Sequence, residues 1–167
     1  MPDGAPSRQL SRMAAPSLYR SLSAERRLAL VTHLLTTRKE WRARFVARLV
    51  ARGGGFRAVT VNSWPPAQLA REVVRLNPQS ADDEVELLQA LYLEVQPEIQ
   101  VSFLDAAGVA HAAGVIAESA EPPYASEAAV ATGAAAVRAQ HGDDGLHYLR
   151  TIARYNGAAW PGIDALV

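Results

Sequence analysis

The sequence predicts an all-α fold, a compact bundle of about five to seven helices. Large apolar residues recur at intervals of three and four along most of the chain, which is the period of an amphipathic helix. Residues that favour helix starts and stops separate these stretches. Only one stretch, 56–64, is rich in β-branched residues, and a lone strand has nothing to pair with. We therefore predict an extended connector there.

The chain is predicted to form one helical domain over 18–167, preceded by a flexible basic tail over 1–17. A chain of 167 residues is long enough to bury a sizeable core without a disulfide or a metal. The tail contains Arg8 and Arg12 among serines and prolines and has no sustained apolar period. Such a composition also suits a transit peptide, but a flexible tail explains it as well, and we favour the tail.

Two features organise the first half of the domain. Ser23 is a typical N-cap for the long first helix, Thr36 and Thr37 either bend or divide it, and the glycines at 53–55 end it. Between them an apolar stripe repeats every four residues, formed by Trp41, Phe45 and Leu49. The spacing predicts that this stripe packs on the core.

Similar helix start and stop signals occur in the second half of the domain. Ser80 stands three residues before Asp83, close to a capping box, and Pro97 ends one helix and begins the next. The segment 109–123 reads as irregular, with at most one helical turn around Val115 and Ile116. Gly142 separates the last two helices, and the apolar residues of 158–167 are expected to fold back onto the bundle.

Composition excludes several kinds of site. The chain has no cysteine, so disulfides, thiolate zinc sites, iron–sulfur clusters and a cysteine nucleophile are all excluded, and a cytoplasmic location is the natural expectation. No apolar run approaches the roughly 20 residues that span a bilayer. The Walker A, GxGxxG and Gly-x-Ser-x-Gly motifs are absent, and we predict no cofactor.

The zero net charge of the chain hides a division between its two parts. Residues 1–60 contain twelve Lys or Arg and three acids, whereas residues 61–167 contain five Lys or Arg and fourteen acids. Such a division fits a nucleic-acid surface, an acidic partner, head-to-tail self-association, or attraction between two parts of one fold. The last explanation needs no partner.

Arginines and aromatic residues together dominate binding hot spots in protein interfaces. The long first helix carries such a set, and we predict that it binds a partner through Arg38, Trp41, Arg42, Phe45, Arg48 and Arg52. The leading hypothesis is a non-enzymatic interaction or regulatory subunit that binds another protein or itself. A nucleic-acid-binding role for the same helix is an alternative that the acidic remainder of the chain disfavours.

A small enzyme is the second alternative, with Asp105 and His111 as its catalytic pair. A carboxylate that orients an imidazole supports general base catalysis, and the small residues after His111 would leave its ring accessible. A histidine that satisfies the backbone of its own loop explains the same residues.

A metal site is a third hypothesis, with His141, Asp144 and His147 as its ligands. Asp144 and His147 are three residues apart, so they share one helix face, and a carboxylate with imidazoles suits a divalent metal. An aspartate just after Gly142 is also what a helix start requires, and capping is the simpler interpretation.

Overall fold

Eight α-helices make up most of residues 16–167, the part of the chain that the computed structural model describes. They are α1 (Leu18–Ser21), α2 (Ala24–Thr37), α3 (Lys39–Ala51), α4 (Ala58–Asn62), α5 (Pro66–Val73), α6 (Ala81–Ala90), α7 (Pro97–Ala106) and α8 (Glu127–Asn156). The all-α prediction is confirmed. No helix in these residues is long and apolar enough to cross a membrane. The predicted tail lies outside the described residues except for its last two positions, so its flexibility stays a prediction.

Serine side chains cap the helices where the sequence places the starts of α2 and α6. The hydroxyl of Ser23 accepts a hydrogen bond from the Arg26 amide at 3.2 Å, and that of Ser80 accepts one from the Asp83 amide at 3.1 Å. Each bond satisfies an amide that has no partner inside its helix. Local residue chemistry is therefore enough to locate these two helix starts.

The extended connector predicted over 56–64 is wrong, because most of it forms α4. The Val61 side chain is fully buried in the core. Beyond the end of α4, the guanidinium of Arg42 donates to the carbonyl oxygens of Asn62 and Trp64 at 3.1 and 3.0 Å. Burial of one valine and satisfaction of the terminal carbonyls outweigh the low helix propensity of β-branched residues.

A small hairpin forms in the segment that was predicted to be irregular. Strands β1 (His111–Ala112) and β2 (Val115–Ile116) pair antiparallel, with His111 opposite Ile116. The two residues between the strands, Ala113 and Gly114, have φ angles of 49° and 88°. Positive φ at both central residues is what a tight two-residue hairpin turn requires.

Several irregular turns complete the fold. A five-residue π-helix (Leu91–Val95) continues α6 up to the start of α7. Gly142 has φ 53° and ψ −125°, so it kinks α8 where the sequence predicted a break between two helices. Two 3-10 turns (Gly157–Ala159 and Ile163–Leu166) follow, and between them Trp160 is buried. The C-terminal segment does fold back onto the bundle.

The core runs through all the helices, with its closest contact between α7 and α8. A Cβ atom added to Gly133 of α8 would lie 2.9 Å from the backbone oxygen of Phe103 in α7. Only a residue without a side chain allows the two backbones to approach this closely. The Phe103 ring then packs edge-on against Tyr148 and Trp160 at centroid distances of 5.7 and 5.0 Å.

Candidate functional site

Trp41 and Phe45, two of the predicted partner-binding residues, lie in the core. Each is only 2% exposed, and their rings contact each other at a centroid distance of 5.1 Å. The Arg44 guanidinium covers the Trp41 ring at 4.0 Å. Neither aromatic side chain is accessible to a partner in this fold. Their four-residue spacing reflects the apolar stripe that fixes α3 to the bundle.

Most arginines on α3 are engaged within the fold. Arg38 forms an ion pair with Glu94 of the π-helix, and Arg42 holds the carbonyls after α4. Arg44 pairs with Asp83 and, at 2.7 Å, with Glu86, both of α6. Attraction between two parts of one fold therefore accounts for much of the charge division in the sequence.

Arg48 is held by α6 and by the loop before it. Its guanidinium donates to the carbonyl oxygen of Asn77 and lies 3.8 Å from Asp83. Burial lowers the pKa of Arg48, whereas the hydrogen bond with Glu86 raises that of Arg44. These guanidiniums already have partners, so few of them are free to contact phosphates, which disfavours nucleic-acid binding through this helix.

Arg52 is the exception among the six predicted partner-binding residues. Its guanidinium has no ion-pair or hydrogen-bond partner among residues 16–167. It belongs to a continuous run of exposed residues, 51–60, that joins α3 to α4, which we term the α3–α4 tip. The tip also carries Phe56, Arg57 and Val59, of which Val59 is 83% exposed.

The structure brings Asp105 and His111 together, as the sequence predicted. His111 Nε2 lies 3.0 Å from Asp105 Oδ1, and His111 Nδ1 accepts a hydrogen bond from the Gly114 amide at 3.1 Å. Because Nδ1 is an acceptor, the ring proton is on Nε2 and is donated to the carboxylate. Both nitrogens are thus used to close the hairpin and tie it to α7. Neither is left to take a proton from a substrate.

The three predicted metal ligands do not converge. His141 contacts the Ser102 hydroxyl at 3.0 Å, and Asp144 pairs with Arg26 at 3.0 Å. His147 is buried in the core, where both of its ring nitrogens are already hydrogen-bonded, to Tyr92 and to the Leu18 carbonyl. Within residues 16–167 no group of three or more His, Cys, Asp or Glu side chains is arranged to hold a metal ion.

A buried polar network that the sequence did not predict occupies the centre of the bundle. The Tyr92 hydroxyl donates to His147 Nδ1 at 2.6 Å, and His147 Nε2 donates to the Leu18 carbonyl at 2.8 Å. The Arg26 guanidinium donates to the Tyr92 oxygen at 3.3 Å and to Gln96 at 2.8 Å. The network joins three regions that are far apart in the chain, residues 18–26, 92–96 and 147, so no local spacing reveals it.

The acceptors in this network determine which atom donates in each hydrogen bond. A carbonyl only accepts, so His147 carries its proton on Nε2, and Tyr92 must donate to Nδ1. Burial lowers the pKa of His147 and raises that of Tyr92 to about 12. Both groups are therefore neutral at pH 7, and the network serves mainly to join α1, α2, the π-helix and α8.

A second buried group, Glu84, holds the N-terminal segment. Its carboxylate accepts hydrogen bonds from the Ser17 and Tyr155 hydroxyls and, at 2.9 Å, from the Tyr19 amide. Burial by itself raises the pKa of Glu84, but these three donors outweigh it, and the pKa is lowered. Ser17 and Tyr19 flank the start of α1, so this carboxylate fixes where the described chain joins the bundle.

No family model, no curated protein and no solved structure matches this chain. Its function is therefore inferred from the chemistry of its own residues.

Proposed function

We propose that this protein is a non-enzymatic interaction or regulatory subunit that binds another protein or a second copy of itself, and that the α3–α4 tip is its binding surface. The supporting observation is the run 51–60, in which every residue is exposed although the run contains Phe56 and Val59. Exposed apolar residues that cluster beside cations are typical of interfaces. Without cysteine the chain suits a reducing compartment, and we expect it to act in the cytoplasm.

The tip combines the two contributions that an interface needs. Val59 is 83% exposed and Phe56 is 37% exposed, and the Phe56 ring is supported edge-on by Trp64 at 5.1 Å. Burying an exposed valine or phenylalanine contributes about 1.5–3 kcal/mol when its burial is complete. Arg52 and Arg57 have no partners among residues 16–167, so they remain free to pair across an interface. The tip is thus an apolar surface with a cationic edge.

The charges of the chain favour a second copy as the partner. The loop between β2 and α8, residues 117–126, is exposed along most of its length and carries Glu118 and Glu121. Neither glutamate has an ion-pair partner among the described residues. Contact between the tip of one copy and this acidic loop of another uses two different surfaces. Such association is head-to-tail and forms rings or open chains.

Sedimentation velocity at about 50 mM and about 500 mM salt tests this proposal, since the screening length falls about threefold between them. The unmodified protein is expected to sediment faster with increasing concentration at low salt only. The double variant R52E/R57E and the double variant E118R/E121R should each sediment as monomers. R150E is the matched control, because Arg150 is exposed and unpaired among residues 16–167 but lies on α8, away from the tip.

Mixing the two charge-reversed variants gives the sharpest outcome. The acidic tip of R52E/R57E then faces the basic loop of E118R/E121R, so association should return in the mixture at low salt. Monomeric sedimentation of the unmodified protein under every condition contradicts the self-association proposal. Association that R52E/R57E leaves unchanged assigns the contact to a surface other than the tip.

A further inference from the structure

A cavity of about 210 Å³ opens between α6, the π-helix, α7 and the second half of α8. Its walls are formed mainly by three tyrosines (Tyr92, Tyr148 and Tyr155) and four aliphatic residues (Val85, Leu88, Leu93 and Ile152). The volume exceeds that of an apolar cavity of about 150 Å³ that accommodates benzene. The cavity therefore has room for a one-ring or small two-ring molecule.

The hydroxyl of Tyr148, in the wall of this cavity, has no hydrogen-bond partner among residues 16–167. The residue is only 2% exposed, and its oxygen forms no hydrogen bond with any of residues 16–167. Tyr148 is one of the residues that line the cavity. The other two tyrosines are satisfied, Tyr92 by His147 and Tyr155 by Glu84.

The π-helix forms one wall of the cavity. Its wider turn is closed by the Gln96 amide, which donates to the Leu91 carbonyl at 2.7 Å. This turn places Tyr92 in the wall and leaves Leu93 39% exposed beside it. Short π-helical turns occur disproportionately at functional sites, because they cost stability that a regular helix would keep.

The chemistry of the lining selects an uncharged ligand. Among residues 16–167 the cavity is bordered only by uncharged side chains, including the amides of Gln89, Gln100 and Asn156. Gln100 donates its amide nitrogen to the Gly114 carbonyl at 2.6 Å, which leaves its side-chain oxygen free as an acceptor. Aromatic walls suit a flat ring, and amides with a phenol suit hydrogen-bonding groups at the edge of that ring.

We propose that this cavity binds a small, uncharged aromatic ring compound whose polar edge accepts a hydrogen bond from the Tyr148 hydroxyl. The site lies apart from the α3–α4 tip, so the two proposals stand or fall separately. A ligand here contacts α6, the π-helix and α8 at once, and the last two are also joined by the Arg26, Tyr92 and His147 network.

Saturation-transfer NMR with benzamide, indole and benzoate tests the proposal. Benzamide and benzoate share a ring and nearly the same size, but only benzoate is charged. We expect benzamide to bind with a Kd of about 1 mM or tighter, as its size allows, and benzoate to bind at least about tenfold more weakly. Equal binding of the two compounds, or no binding of benzamide and indole at about 5 mM, overturns the proposal.

Two variants locate the binding. Y148F keeps the ring and removes the hydroxyl, and the loss of one hydrogen bond should weaken benzamide about five- to tenfold. I152W fills the cavity and should abolish binding even if Y148F does not fold. Y124F is the matched control, because Tyr124 packs on Trp160 at 5.4 Å and does not border the cavity. Benzamide affinity that is unchanged in both Y148F and I152W overturns the assignment.

Discussion

Removal of the Tyr92 hydroxyl tests the buried network most directly. The variant Y92F keeps the ring, so its packing against Tyr148 at a centroid distance of 4.9 Å is preserved. It removes the donor to His147 Nδ1 and one acceptor of Arg26. Because the imidazole nitrogen stays buried without a partner, the free energy of unfolding should fall by about 1–3 kcal/mol.

The measurement is urea unfolding at pH 7.5, followed by circular dichroism. For a domain of this size the expected loss corresponds to a decrease in Tm of about 3–10 °C, with an unchanged dependence on denaturant. Y124F serves as the control, because Tyr124 is only half-buried and its hydroxyl has no hydrogen bond with any of residues 16–167. A second variant, H147L, removes the other partner. The double variant should then cost at least about 0.5 kcal/mol less than the sum of the two single changes.

Two results would refute this reasoning. If Y92F unfolds within about 0.5 kcal/mol of the unmodified protein, the hydroxyl does not satisfy the buried imidazole. If the effects of Y92F and H147L are simply additive, the two side chains do not form one network. Zinc that stabilises the unmodified protein but not H147L would instead support the metal hypothesis for His147.

Three further perturbations probe other parts of the fold. G133A should lower the free energy of unfolding, measured in urea, by about 1–3 kcal/mol, because the added methyl group would lie 2.9 Å from the backbone oxygen of Phe103. An unchanged free energy of unfolding would show that α7 and α8 separate easily. Stability should fall as the pH drops below 6.5, because the unfolded chain binds a proton at His147 more readily than the folded chain does. It should fall further below 4.5, because Glu84, whose pKa is lowered in the fold, is protonated more readily in the unfolded chain. A Tm that stays constant between about pH 7.5 and 5 would contradict the first shift, and one that stays constant below 4.5 would contradict the second. D83A should lower the free energy of unfolding by about 1–2 kcal/mol, a modest range because solvent screens the partly exposed Arg44 of the ion pair. If the ion pairs cause this loss of stability, it should be smaller at about 1 M salt than at low salt.

Local chemistry made several parts of the fold predictable. Serine caps and prolines act within one helical turn, so the starts of α2, α6 and α7 follow from the sequence. The pairing of Asp105 with His111 was also predictable, because the two residues are only six positions apart and one loop connects them. Whether that pair is free to react was not, since the answer depends on the turn that places the Gly114 amide on the ring.

Contacts between distant segments were not predictable. The β-branched residues of α4 gave no local signal for a helix, and burial of Val61 with support from Arg42 decided its conformation. The ion pairs of α3 join residues about forty positions apart, and periodicity cannot show which acid faces which arginine. The sequence therefore pointed to the correct helix as unusually basic and assigned its charge to an external partner.

The sequence by itself determined the fold class, the positions of most helices and the apolar stripe of α3, because these depend on spacing and capping within a few residues. Only the tertiary structure decided which acidic groups the arginines of α3 pair with. Packing α3 against α6 and the π-helix pairs most of its arginines within the fold and leaves Arg52, in the exposed tip, without a partner among residues 16–167. The same packing buries His147 and places Tyr148, whose hydroxyl has no partner among residues 16–167, in the wall of a cavity. Both outcomes depend on which helices meet, and local spacing does not determine that.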